Sequence, residues 1–437
     1  MGNSGGHWAR RFVIGLAALG CAAQAAAQAQ VSAPHAAVIR ALAAKPGVQA
    51  AVAELGREHD GWVANIIALT EIPAPPFKEA ARARAYADRF RALGLADVTI
   101  DEVGNATGLW RGTGAPGGKM VVVSAHMDTV FPEGTNVKVR REGDRLYAPG
   151  IGDDSTGLAT QLSLVNAMKV AGIRAPMDIL FVGTVGEEGL GDLRGARHLF
   201  SKSRYKDRIA AFYSIDGTSA TGFTTGAVGS KRYRLTFSGP GGHSYGAFGL
   251  VNPMGALAQT VTELYRIPVP RSPKVTYSAS VVGGGVSVNS IPREVFLEVD
   301  MRSESAAELA KVETQFLAAV DAAVKAENAA RSTREGPVKA DVKLVGDRPA
   351  GSTALDSDIV RYATAAYAAE GMTARYGASS TDSNVAMSLG VPAITIPRAA
   401  EGGRNHSVDE WIGTSKPAAV RSRKMDLLMI LATAGYR

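Results

Sequence analysis

The sequence predicts an α/β domain interrupted by a contiguous α+β insert of the ferredoxin-like kind. Three observations predict it. Over the first half of the chain, apolar strand runs alternate with stretches of helical periodicity. Near residue 228 the pattern changes to the order β-α-β-β-α-β. Helix and strand alternation then resumes from about residue 352, so the outer domain is discontinuous. At 437 residues the chain also exceeds the size at which a single core keeps growing, and two domains are the expectation.

Residues 1–29 carry Arg10 and Arg11, the apolar run FVIGLAALG and the small-residue stretch AAQAAAQA. That is the plan of a signal peptide, with an apolar run too short to span a membrane and an Ala-x-Ala site ending at Ala27 or Ala29. Export to the periplasm or the medium is expected, with no membrane attachment after cleavage. Cys21 invites a lipoprotein reading, but Ala18 stands where a lipobox usually has leucine. Plain export is preferred.

Residues 34–95 read as largely helical, broken by the proline cluster EIPAPPF at 71–77. VTIDEV, TGLWRG and KMVVVSAH follow as strands, then a helix over Leu158 to Val170 and the strands MDILFVGTV and AAFYSI. GTGAPG at 112–117 has dinucleotide-fingerprint spacing, yet it precedes a strand and contains proline, so it reads as a hairpin turn. The insert, about 229–348, takes SKRYRLTFSG, the amphipathic NPMGALAQTVTELYRI, VTYSASVVGG, REVFLEVDMRS, a helix from about Ser305 to Arg331, and VKADVKLVG. Its GGG at 283–285 reads as a bulge or turn. The outer domain is then 30–228 plus 349–437.

Composition narrows the chemistry. Hydrophobic residues at 46% and charged ones at 20% suit a soluble globular protein. The net charge of +7 falls to +5 without the two arginines of residues 1–29, and no basic run or aromatic-interleaved stripe points to nucleic acid. Cys21 is the only cysteine, so the mature chain has no disulfide, thiolate zinc site or cysteine nucleophile. Any metal must be held by His, Asp and Glu, which suits zinc, cobalt or manganese.

Such residues recur in short motifs along the chain. His126 and Asp128 in VVVSAHMDTV are two apart at the end of a buried strand run and share a face there. Asp153 and Asp154 follow in GIGDDSTG, Glu187 and Glu188 in TVGEEGLGD, Asp216 in YSIDGT and His406 in GGRNHSVDEW. The set holds ligands for two ions and one spare carboxylate to move protons. Either Asp153 or Asp154 serves as a ligand on spacing alone. His35, His59 and His198 read as surface histidines; Asp192, Asp409 and Glu410 as solvated or supporting groups.

These motifs, in this order, resemble the M20 family of metallopeptidases across the whole mature chain. EIPAPPF and GEEGLGDLRGARHLF are most similar to its peptidase T (tripeptidase) branch. The resemblance implies a mixed-sheet zinc-peptidase catalytic domain whose insert is a lid and dimerisation domain, giving a homodimer. It implies two divalent ions, zinc first, with cobalt or manganese as alternatives. Asp153 would bridge them, His126 and Asp216 completing one site and Glu188 and His406 the other. Three carboxylates and a bridging hydroxide then balance two divalent ions. Asp128 would support the His126 ring and Glu187 would be the general base. The resemblance also gives His243 in GGHSYG a role at the substrate carbonyl across a dimer, and substrate-binding roles to Asn289, Arg302, Asp382 and Asn384. Ser155 and the form of GGRNHSVDEW depart from many relatives.

The expected function is an exported dimetal hydrolase cleaving short peptides by metal-activated water, amino- or tripeptidase-like. An N-acyl amino acid deacylase or carboxypeptidase of the same family is the alternative, and a noncatalytic peptide-binding protein the remaining class.

Overall fold

The structure, a computed structural model, describes residues 31–218 and 220–437. The expected signal peptide lies outside the described residues. Helices Ala33–Ala44, Pro46–Arg57, His59–Thr70 and Ala80–Leu93 open this part of the chain. Pro73, Pro75 and Pro76 fall in the gap before the fourth helix, where missing amide donors forbid a continuous helix. Gly94 ends that helix in the left-handed conformation with φ 84°.

The large sheet is mixed. In spatial order it runs Ala96–Ile100, Ala106–Trp110, Asp178–Thr184, Met120–His126, Ile209–Gly217, Ala393–Pro397, Gly222–Ala227 and Gly351–Ser352, with Arg375–Ser379 also paired to Gly222–Ala227. Met120–His126 is parallel to both neighbours, as is Ile209–Gly217 to its own. All seven residues of Met120–His126 are buried. Buried parallel strands of this kind read as continuous apolar runs because helices cover both faces. Val121, Val123 and Ala125 pack with Tyr86, Phe90, Leu158 and Leu428, while Met120 and Val122 pack with Leu199 and Met387 on the other face.

One turn differs from expectation. GTGAPG does not close a hairpin, because Asp178–Thr184 lies between the strands it connects. The loop instead crosses that strand's end, where Asp178 Oδ1 accepts the Gly112 amide at 2.8 Å.

The insert has its own four-stranded antiparallel sheet, ordered Val275–Gly284, Glu294–Ser303, Gly229–Ser238, Lys339–Arg348. Helices Pro253–Leu264 and Ala306–Ala330 pack on this sheet, burying Leu235, Phe237, Leu297 and Phe316. Both helices start on side-chain caps: Asn252 accepts from the Met254 amide and Ser305 from that of Glu308. Gly284 and Gly285 turn the chain with φ of 111° and 77°.

Ser230 and Arg348 are register partners, so the chain leaves and rejoins the large domain side by side. Asn384 fastens this crossing. Its Nδ2 donates to the carbonyls of Val228 and Pro349, both at 2.9 Å, and its Oδ1 accepts the Thr381 amide at 3.0 Å. Asn384 is fully buried, so its expected place facing the cleft is corrected to a tie across the hinge. Two of the three expected surface histidines are also corrected. His59 is buried with Nε2 3.1 Å from the Thr414 carbonyl, and His198 is buried between Asp101 and Glu102. Both sit on helical faces that the large sheet's flanking loops and helices cover. His35 is partly buried between Ser32 and Asp358.

Candidate metal centre

The expected ligands converge at the carboxyl ends of the central parallel strands, where α/β folds gather their ligands. His126 ends Met120–His126, Glu187 and Glu188 follow Asp178–Thr184, Asp216 is near the end of Ile209–Gly217, and His406 lies beyond Ala393–Pro397. His126 Nε2 is 2.8 Å from Asp153 Oδ1 and 3.8 Å from Asp216 Oδ1. His406 Nε2 is 2.9 Å from Glu188 Oε1 and 3.4 Å from Asp153 Oδ2. One carboxylate therefore faces both histidines through different oxygens.

Three groups of donor atoms among the described residues have the spacing to hold a metal ion, two of them being His126, Asp153 and Asp216, and Asp153, Glu188 and His406. Glu187 also lies within reach, together with His126 and Glu188. Nitrogen and carboxylate donors in this proportion fit divalent zinc, cobalt or manganese.

Support for the cluster is buried. Glu410, expected as a solvated or supporting group, is fully buried; its carboxylate accepts the amides of Gly150, Gly152 and Asp153 at 2.7–3.0 Å. It thus shapes the loop that presents Asp153. Burial pushes the Glu410 carboxyl up to about 7. Asp154 turns away, accepting the His126 amide through Oδ2 and that of Gly157 through Oδ1. Gly157 leaves no room for a Cβ there: one would lie 2.3 Å from Asp154 Oδ1. Of the two neighbouring aspartates, Asp153 is the one in the cluster.

Asp128 differs in detail from its expected role. The His126 ring meets the Asp128 carbonyl at 3.0 Å through Nδ1, while the carboxylate is 3.8 Å away. That carboxylate instead accepts the amides of Glu187 and Glu188 at 2.9 and 2.8 Å. It fixes the loop carrying both glutamates with two charge-assisted bonds.

Three arginines escaped the sequence reading. Arg348 Nη1 is 3.1 Å from Glu187 Oε1 and Nη2 bonds the Glu187 carbonyl. Burial pushes the Glu187 carboxyl well above its usual range, with Arg348 opposing. Arg398 Nη2 is 2.6 Å from Asp216 Oδ1 and 3.1 Å from Asp153 Oδ1. Burial would raise the Asp153 carboxyl, but Arg398 and His126 hold it well below the usual range. Hydrogen bonds to Asp153 and Glu188 lift His406 to about 10. Arg232, the third, shares Asp300 with Arg302, at 3.1 and 2.6 Å. The one available signal was Arg398, a charge immediately after the apolar strand AITIP at a sheet's carboxyl edge.

A cavity of about 460 Å³ opens on the cluster, lined by Glu187, Glu188, Asp216 and His406 and by Arg232 and Arg302 from the insert. Arg302 both lines the cavity and makes an ion pair within the insert. Asp382 does not line it: buried, its Oδ2 accepts from Thr184 Oγ1 at 2.5 Å, a correction to its expected place facing the cleft. His243 is exposed on the insert's short strand Gly242–His243 and Asn289 just before its partner strand Ser290–Ile291, both outside this cavity.

Comparison with known proteins gives consistent findings. Residues 122–420 match the model of "Peptidase family M20/M25/M40". The chain is similar to carboxypeptidase G2 of Pseudomonas sp. (strain RS-16), 29% identical over 192 residues, which is 43% of this chain and 45% of that protein. It thus spans just under half the length of that relative. In fold it is similar to aminopeptidase PepT from Bacillus cereus ATCC 10987, with TM-score 0.67, 20% identity, and 86% and 99% of the two chains covered. It is also similar to the Bacillus subtilis YXEP protein, described as a dinuclear metal binding peptidase, with TM-score 0.61, 14% identity, and 86% and 98% covered.

Proposed function

This chain belongs to peptidase family M20/M25/M40 and is a hydrolytic enzyme; on that premise we propose that it is an exported dimetal hydrolase cleaving amide bonds of short peptides, in the manner of an amino- or tripeptidase. The observation that carries the reading is Glu187, buried at the wall of a 460 Å³ cavity beside two ion-binding groups that share Asp153. A cavity of this size suits a small ligand.

In this reading His126, Asp153 and Asp216 hold one ion and Asp153, Glu188 and His406 the other. When bound, two divalent ions, zinc first with cobalt or manganese as alternatives, polarise the scissile carbonyl and lower the pKa of the attacking water. Glu187 takes the water's proton and passes it to the leaving nitrogen. Arg348 holds its Oε1, which leaves Oε2 to carry that proton. Burial favours the protonated carboxyl, so Glu187 keeps the proton between the two halves of the reaction. Asp128 keeps Glu187 in place through its amide.

A second reading draws on the insert. Arg232 and Arg302 face the cavity and share the single carboxylate of Asp300. A spare guanidinium suits a terminal carboxylate, which favours an N-acyl amino acid deacylase or a carboxypeptidase. The exposed position of His243 and Asn289 supports a homodimer in which they serve the second copy's cavity.

Mass spectrometry of products from di- and tripeptides, longer peptides and N-acyl amino acids separates the readings. Metal-dependent loss of an N-terminal residue from short peptides is expected. Cleavage confined to acyl amides or C-terminal residues would move the assignment to the second reading. Glu187→Gln should keep its metal content while turnover falls at least about 10²-fold; normal turnover would remove Glu187 as the base.

A further inference from the structure

The two candidate ion sites have the same donor types but different surroundings. Arg398 directly follows the strand Ala393–Pro397, and its buried guanidinium lies against one of them. Nη2 donates to Asp216 Oδ1 at 2.6 Å and to the Asp216 carbonyl at 3.1 Å, and lies 3.1 Å from Asp153 Oδ1. Nε is 3.5 Å from Asp154 Oδ1. Two oxygens of the His126, Asp153 and Asp216 group thus already touch a fixed cation.

The group of Asp153, Glu188 and His406 meets Arg398 only through the shared Asp153, and among the described residues no arginine pairs with its Glu188. The donor beside it is the neutral amide of Asn405, whose Nδ2 is 3.2 Å from Asp153 Oδ2. Arg348 lies near enough to feel the field of Glu188, but its hydrogen bonds go to Glu187, Ser380 and the Glu187 carbonyl. Its guanidinium is taken up by those acceptors, none of which belongs to the ion-binding group.

We propose that Arg398 makes the two sites unequal, so that the first divalent ion binds at Asp153, Glu188 and His406 and the second, more weakly, at His126, Asp153 and Asp216. The inference rests on the dimetal reading above. A guanidinium on Asp216 Oδ1 and Asp153 Oδ1 uses electron density that an ion would otherwise take, and it repels the ion directly. Arginine stays charged at every working pH, so the inequality is permanent rather than pH-gated. With one ion bound, Arg398 supplies the positive charge facing Asp216, and the half-loaded centre stays balanced. Arg398 is therefore a positioning residue acting through the two aspartates.

The test is calorimetric titration of the full chain with Zn²⁺, with bound metal counted at each ratio. Two steps at least about tenfold apart are expected, an interval of about 1.4 kcal/mol. His406→Ala should abolish the tight step and His126→Ala the weak one. Arg398→Met removes the charge but keeps much of the bulk, and should tighten the weak step at least about tenfold; Arg398→Lys should keep the split. Two equal steps, loss of the tight step in His126→Ala, or equal weakening of both steps in Arg398→Met would each overturn the proposal. If Arg398→Met does not fold, the histidine variants still decide the order. Saturation at a single ion overturns the dimetal reading and this proposal with it, whereas two equal steps overturn the proposal alone.

Discussion

At Asp382, burial pushes the carboxyl up to about 6 from an ordinary 3.8. A raised carboxyl binds its proton more readily in the folded state, so this group's contribution to stability falls as pH rises from 3.8 to 6, and the cost is then constant. Asp382→Asn should match the parent below that window and exceed it above, by up to about 3 kcal/mol. Urea unfolding of both proteins on either side of the window checks this, and a constant difference would contradict it. The residue scale is also where the sequence was most and least legible. His126, Glu187, Glu188 and Asp216 stood out because they sit at or just past the ends of apolar runs, Asp153 and His406 because their motifs resemble those of the family, and the fold brings the six together. Arg348 and Arg398 did not, because a single arginine at or just past the end of a strand carries no periodicity of its own. Their meaning comes from carboxylates far away in sequence, such as Glu187 for Arg348. Asp382 and Asn384 were misplaced for the same reason: their partners are Thr184, Val228 and Pro349.

Among elements, the hinge has the sharpest expectation. Two strands cross between domains and one amide ties both carbonyls. Asn384→Ala leaves the Val228 and Pro349 carbonyls and the Thr381 amide without this partner, at about 1–3 kcal/mol per group buried from water. A loss of at least about 2 kcal/mol in the unfolding free energy is expected. A change near zero would mean that solvent replaces the side chain. Elements with caps and long periodic patterns were legible: the helix expected from about Ser305 to Arg331 is Ala306–Ala330 with Ser305 at its cap. Short ones were not. Arg140–Glu142, Arg145–Tyr147, Gly402–Gly403 and Trp411–Gly413 form a small sheet of two- and three-residue strands, too brief to show alternation. GFTTGA, the strand Gly222–Ala227, is short and carries two glycines, which blur it with a turn. Sheet order was beyond reach as well, since nothing in AITIP says that it lies beside Ile209–Gly217.

For the whole molecule, the ion sites link ligand binding to stability. Asp153, bridging both groups, is held by the loop that Glu410 shapes, and Glu188 by Asp128. Ions that bind only the folded arrangement should raise the melting temperature with concentration, by about 2.7 kcal/mol of stability at 100 times Kd. Scanning calorimetry with chelator and with graded Zn²⁺ checks it; a melting temperature indifferent to the ion would contradict the dimetal reading. The discontinuous large domain has a different consequence, one of timing. Ala393–Pro397 fits between Ile209–Gly217 and Gly222–Ala227, so a nascent chain cannot close its central sheet until those late residues leave the ribosome. The insert, continuous in sequence and with its own core, has no such wait. It is able to fold as a finished unit on a host that is still open. A chain stopped before Ala393 should accordingly leave a protease-resistant fragment from the insert and little else.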